Sequence, residues 1–264
     1  VLVVGGAGRM GRWLFRVCQS LGDTVTVCDR DNSSELAPLA AEAEICIVAV
    51  PPRVAPETVR KLASSMPKDG LIVDVTSLKT AVAVAAVQSN PTQSVALIHP
   101  MCAPPGEGLS IGDAAIVLTE ELVESSGPYR EWYERFLAVI GGRRFRMNAV
   151  EHDRFDVPLQ PGAHAALLAF AASLAATGET LESFERLAPP VAADLLRAVR
   201  RFLGSGSPEI FAWLQIEAHR DQSFVAKSAV ESLRSIEAAA KAGNVAELKR
   251  MFADLRSRLA IAPP

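Results

Sequence analysis

The chain has little sulfur, few aromatic residues and no surplus of positive charge, and each shortage excludes something. Its four cysteines, Cys18, Cys28, Cys46 and Cys102, make no C-x-x-C pair. A thiol redox centre or zinc ribbon is therefore not expected, and reduced thiols in a cytoplasmic protein are. A net charge of −3 supplies no basic field for nucleic acid. No apolar run reads as membrane-spanning, and no signal peptide is read ahead of the first strand. Internal repeats and low-complexity tracts are missing. Only four histidines occur, which shortens the list of candidate bases. What is there, 264 residues of which 49% are hydrophobic, suffices for one large domain or two ordinary ones. A chain that opens directly on a strand is expected to have further residues ahead of Val1.

That opening is the most informative stretch. Val1-Leu2-Val3-Val4 reads as a buried parallel strand and runs into Gly6-Ala7-Gly8-Arg9-Met10-Gly11, after which Arg12–Cys18 has helical spacing. In a dinucleotide site Gly6 permits the tight turn, Gly8 lets the backbone approach the pyrophosphate, and Gly11 lets helix and strand pack closely. The pyrophosphate rests on the free N–H groups of the helix start. A second strand, Thr24–Cys28, delivers Asp29 where a carboxylate accepts the ribose hydroxyls, which favours NAD; Arg30 beside it keeps NADP as the lesser alternative. Cofactor contacts are also expected from Val50-Pro51, where a third strand, Ile45–Val50, ends at the sheet edge.

Further strands are expected at 71–75, 95–98, 114–119 and 144–147, with a helix at 129–140. The first 148 residues thus alternate strand and helix, as in a Rossmann-like doubly wound α/β domain. Beyond Asn148 only Ala/Leu-rich helical segments follow, at 163–176, 191–203, 208–217, 224–242 and 245–259. We place the domain boundary at 148/149 and expect an all-helical domain over 149–264 that buries apolar surface against a second copy, as a homodimer.

An NAD enzyme acting on a hydroxyl needs a base, and an anionic substrate needs a cationic clamp. His99, directly after the fifth strand, sits at the ligand-binding edge, either as that base or as a loop histidine. Ser77, in Thr76-Ser77-Leu78-Lys79, either bonds the imidazole and substrate or caps a helix. His152, Asp156, Gln160 and His164 would share one face of an unbroken helix, but Pro158 and Pro161-Gly162 are expected to break it. No metal is expected, because the acidic and histidine residues show no compact ligand set. Arg197, Arg200 and Arg201 form either a solvated face or a clamp.

Taken together, Val4–Gly11, Val73-Asp74-Val75-Thr76-Ser77-Leu78-Lys79, His99-Pro100-Met101 and Ala149-Val150-Glu151-His152-Asp153, with Gln160 and His164, resemble the prephenate dehydrogenase family, especially the dehydrogenase part of its bifunctional members with chorismate mutase. The resemblance covers nearly the whole chain. It implies a nucleotide domain followed by a helical dimerisation domain. It implies NAD-dependent oxidative decarboxylation of prephenate to 4-hydroxyphenylpyruvate in tyrosine biosynthesis, with His99 as catalytic histidine and Ser77 holding it. It further implies that Gln160 and His164 line the substrate site and that Arg201 pairs with the ring carboxylate, Arg200 being the alternative register.

The chain also departs from that family. Cys102-Ala103-Pro104-Pro105 stands where an aromatic residue and glycine often follow His-Pro-Met, Asp156 and extra prolines lie between His152 and His164, and Ala193 stands where a second arginine is common. These departures surround the substrate, so the runner-up substrate is the amino analogue, 4-amino-4-deoxyprephenate. A non-catalytic NAD-sensing protein is the reading from another class; retention of His99, Ser77 and Arg201 speaks against it.

Overall fold

In the computed structural model, which describes residues 1–89, 91–119, 129–205, 207–221 and 224–261, the aliphatic runs and one exposed arginine-rich segment become seven strands of one sheet. They are β1 (Leu2–Val4), β2 (Thr26–Cys28), β3 (Ile45–Val48), β4 (Leu71–Asp74), β5 (Ser94–Pro100), β6 (Ala115–Thr119) and β7 (Arg143–Arg146). Their order is β2-β1-β3-β4-β5-β6-β7. The first five are parallel, β6 is antiparallel to β5, and β7 is parallel to β6.

Alternation along the strands feeds two cores. Leu2, Val4, Cys46, Val48, Ile72 and Leu97 pack on one face with α2 (Leu36–Ala41), α3 (Ala55–Ser65) and α4 (Thr80–Ser89). Val3, Ile47, Val73, Ile98, Ile116 and Leu118 pack on the other with α1 (Arg9–Ser20) and α5 (Arg130–Ile140). Helices on both faces of a mostly parallel sheet make the doubly wound arrangement expected from the sequence. Cys18, Cys28 and Cys46 are buried free thiols within these layers; burial pushes those of Cys18 and Cys46 up to about 12.

The chain divides into two compact units, residues 1–159 with 207–217, and residues 160–206 with 218–264. The break thus falls later than the expected 148/149. The reason lies in α6 (Ala149–Val157), whose Asp153 carboxylate accepts the first backbone N–H groups of α4, from Lys79 and Thr80, both at 2.8 Å. That cap ties α6 to the sheet.

The prolines do not break the next helix. Pro158–Gly162 forms a π turn leading directly into α7 (Ala163–Ala175), because a widened turn tolerates the missing proline N–H. The resulting stretch, Ala149–Ala175, is by length and composition apolar enough to cross a membrane, contrary to the expectation that no such run exists. Its first third, however, carries the buried His152, Asp153 and Asp156.

The helical unit continues through α8 (Leu181–Glu185), α9 (Pro190–Ser205), α10 (Pro208–Asp221), α11 (Phe224–Lys241) and α12 (Val245–Arg258), with α10 divided between the units. Within it α9 packs on α7 and α8, and α11 packs on α12.

Candidate active site

At the C-terminal edge of β1 the chain reverses at Gly5, not Gly6 as the glycine spacing suggested. Gly5 has φ +85°, and a Cβ there would lie 2.5 Å from the Ala49 carbonyl oxygen. Only glycine adopts this turn against β3 without strain. A Cβ on Gly11 would lie 2.2 Å from the Gly5 carbonyl oxygen, so the helix start presses directly on the turn. Gly8 is the N-cap of α1 and leaves its first N–H groups at this edge. Of the expected cofactor contacts, Met10 turns its side chain into the core, leaving its backbone to the edge, and Arg9 is exposed.

Asp29, at the end of β2, accepts hydrogen bonds from the Ala7 N–H at 2.9 Å and the Arg30 N–H at 2.8 Å, one on each oxygen. The carboxylate therefore shapes the glycine loop and keeps lone pairs for further donors. Val50 and Pro51 follow β3 at the same edge, where the Pro51 carbonyl accepts the Val54 N–H and opens the turn into α3. Arg53 in that turn lies over the Trp213 ring, 4.6 Å from its centroid. The cradle fits a dinucleotide: glycine where a side chain would collide, free helix N–H groups and an acidic residue after the second strand.

His99 lies near the end of β5, 4% exposed. Its Nδ1 is 3.0 Å from Nε2 of His152 on α6. His152 Nδ1 is in turn 2.8 Å from the Asp153 carboxylate. Burial opposes ionisation of Asp153, but hydrogen bonds from His152 and the backbone of Lys79 and Thr80 hold its carboxyl below the usual carboxylate range. An ionised carboxylate only accepts, so His152 Nδ1 carries a proton and, in the neutral ring, its Nε2 accepts from His99 Nδ1. His99 is thereby left with an unprotonated Nε2. Burial, then the charges of Lys79 and His152, push the His99 imidazolium well below its ordinary range, so the ring is a neutral base.

Two other buried charges complete the cluster. Lys79, wholly buried, places Nζ 2.5 Å from Asp74, whose carboxylate also accepts the Thr76 hydroxyl at 2.9 Å. Asp156, one helical turn after His152, is likewise wholly buried, with Oδ1 3.8 Å from His99 Nδ1. Burial, then the charge of Asp153, push its carboxyl up to about 7 against the opposing pull of Lys79.

The expectation that no compact ligand set exists is corrected here: donor atoms of His99, His152 and Asp156 all lie within 4.8 Å of one another. The direct bond between the two imidazoles, with Asp153 fixing the outer one as donor, makes the trio a proton-holding network. His152, Asp153 and Asp156 were absent from the expected site. The sequence signals for them were the Ala149–Asp153 stretch within the resemblance and the four-residue spacing from His152 to Asp156.

Ser77 is half-buried after β4 and makes no hydrogen bond to His99 among the described residues. In the helical unit, His164 stacks on Phe202 with centroids 4.8 Å apart. Buried atoms without a hydrogen-bond partner there include Gln160 Oε1 and His164 Nδ1. Arg200 makes a two-pronged pair with Glu185, at 2.8 and 2.5 Å, and Arg197 pairs with Asp194. Arg201 is exposed on the same helix.

Residues 19–123 match the family model for the nucleotide-binding domain of prephenate dehydrogenase. The T-protein of Enterobacter agglomerans is 28% identical over 217 residues, 80% of this chain and 55% of that protein. Over its nucleotide-binding stretch the chain is thus similar to the prephenate dehydrogenase family. It spans about half the length of the T-proteins it matches. The 4-amino-4-deoxyprephenate dehydrogenase of Streptomyces pristinaespiralis is 28% identical over 98% of this chain and 90% of its own length. In fold, prephenate dehydrogenase from A. aeolicus, solved with hydroxyphenyl propionate and NAD+, superposes with a TM-score of 0.64 at 15% identity, covering 99% of this chain and 97% of that one. The Rossmann-like architecture is thus that of the prephenate dehydrogenases.

Proposed function

We propose that this chain catalyses NAD-dependent oxidative decarboxylation of a prephenate-class cyclohexadiene, hydride leaving ring C4 and the ring carboxylate leaving as carbon dioxide. One observation carries the reading: His99 is a buried neutral imidazole at the ligand edge of the sheet, its Nδ1 proton engaged by His152 and its Nε2 free to accept. Bound NAD supplies the hydride acceptor, held by the turn from Gly5 to Gly11, Asp29 and the Val50-Pro51 edge. His99 Nε2 takes the hydrogen bond of the C4 substituent and draws off its proton as the C4–H bond breaks. Ser77 orients that substituent, Gln160 and His164 line the ring, and Arg201 holds the carboxylate. Aromatisation drives the step, so the protein's work is placement and proton handling. Asp29 favours NAD over NADP through repulsion of a 2′-phosphate.

Prephenate, giving 4-hydroxyphenylpyruvate for tyrosine biosynthesis, is the substrate the motifs of the resemblance support, and the groups around the base choose between it and its amino analogue. The amino analogue is the second reading, favoured by the Streptomyces relative's match along nearly the full length of both chains. The enzyme works as a cytoplasmic homodimer joined through its helical unit, whose apolar side chains such as Leu187, Val191 and Phe252 are exposed in the single chain. The test is NADH formation from NAD with prephenate and with 4-amino-4-deoxyprephenate. Turnover of either supports the reaction. Binding of NADH with turnover of neither compound overturns it in favour of a non-catalytic protein.

A further inference from the structure

We propose that Asp156 decides which C4 substituent this enzyme accepts, acting as a buried counter-charge that selects a ring ammonium over a ring hydroxyl. The inference rests on the reaction proposed above. Asp156 is 0% exposed, and neither carboxylate oxygen has a hydrogen-bond partner among the described residues. A buried carboxylate without donors is costly, and an apolar side chain would fill the same space at lower cost.

The charged and titratable groups facing it are His99 from β5, Lys79 from the turn before α4, and His152 and Asp153 from its own helix. None is its partner. Lys79 is held by Asp74, Asp153 caps α4, and the two imidazoles bond each other. Asp156 therefore faces the base with no protein group to balance its charge; burial holds the carboxyl protonated up to about 7, and an arriving cation would favour its ionised form. The group that reacts at that base is the C4 substituent, and a hydroxyl brings no charge to meet it.

An ammonium does, and it also brings a proton that must leave. Prephenate loses hydride and carbon dioxide to give a phenol with no net proton released. The amino compound enters as R–NH3+ and ends as an arylamine, so one N–H bond must break. Its electron pair stays on nitrogen and its proton passes to His99 Nε2. The C4–H bond then breaks with its pair going to NAD+, and the bond from C1 to the carboxylate breaks with its pair closing the aromatic ring. The balance is arylamine, carbon dioxide, NADH and one proton. The positive charge so gained by the His99 ring lies 3.8 Å, measured at Nδ1, from Asp156 Oδ1, and opposite charges at short range in a buried site attract strongly.

The experiment compares kcat/KM for 4-amino-4-deoxyprephenate and prephenate in the wild type, Asp156→Asn and Asp156→Glu, with NADH binding checking that each variant folds. The wild type is expected to prefer the amino compound. Asp156→Asn should cut the amino-to-hydroxyl ratio by about 10²-fold, chiefly through KM, as for loss of a charge-assisted bond. Asp156→Glu should retain the preference for the amino compound. A wild type that prefers prephenate overturns the inference even if no variant folds, and so does an Asn variant that loses both activities equally. A wild type that turns over neither compound overturns the reaction itself, an outcome distinct from both.

Discussion

The sheet unit and the helical unit differ in how completely each satisfies itself. In the first, β1, β3 and β4 are buried throughout, and Trp13, Phe136 and Leu97 are fully enclosed. In the second, α7 and α12 bury no residue, while Leu187 is 87% and Phe252 72% exposed. The unsatisfied groups differ too. Among the described residues the sheet unit encloses its strands, and the Asp156 carboxylate beside His99 is one of its few buried polar groups without a hydrogen-bond partner. The helical unit lacks apolar cover along whole helices. An isolated buried charge calls for a small ligand, whereas a broad uncovered apolar surface calls for another protein surface.

The contrast breaks first at His99. Asparagine there should lower kcat by about 10²–10⁴-fold with NADH affinity unchanged, as for loss of a general base. Steady-state kinetics beside fluorescence titration of NADH checks this, and unchanged turnover would remove His99 from the mechanism.

The Asp156 carboxyl offers the next largest effect, through stability. The folded protein holds its proton up to about 7, well above the ordinary carboxylate range, so the folded state binds more protons across that interval. Stability contributed by this group is present at low pH and lost as pH rises through the folded value. Asp156→Asn should therefore gain on the wild type by about 2–4 kcal/mol between about pH 4 and about pH 8. Urea denaturation across that range measures it, and a pH-independent difference would mean the carboxyl is not held neutral.

The helical unit is sharpened by two smaller changes. Arg201→Ala should raise KM by about 10–100-fold without touching NADH affinity. Arg200→Ala, which removes an exposed pair with Glu185, should leave KM within about two-fold. The reverse order would make Arg200 the clamp. Phe252→Asp should weaken self-association by about ten-fold or more, visible as concentration-dependent dissociation in analytical ultracentrifugation. A variant as fully dimeric as the wild type would place the interface elsewhere.

The order of strands and helices was legible because burial writes itself into local pattern. Val1–Val4, Ile45–Val48 and Leu71–Asp74 are short aliphatic runs, and α1, α5, α9 and α12 carry helical periodicity. The glycine turn was legible as a motif, though not the residue that makes it. Gly5 rather than Gly6 takes the positive φ, because the Ala49 carbonyl crowds it from β3, and no local spacing reports a neighbour from another strand. Pro158 and Pro161 misled for a related reason: a π turn accommodates them, and turn width is set by packing as well as by propensity.

By itself, then, the sequence determined the doubly wound sheet, the glycine cradle with Asp29 behind it, and His99 at the ligand edge, since these depend on residue type and short-range period. Tertiary structure alone decided what surrounds His99. Asp153 caps a helix that starts 73 positions away in the chain, and that cap brings His152 and Asp156 against the imidazole. The tautomer of the base and the unmet charge beside it are products of this long-range contact, which no residue within a helical turn of His99 encodes.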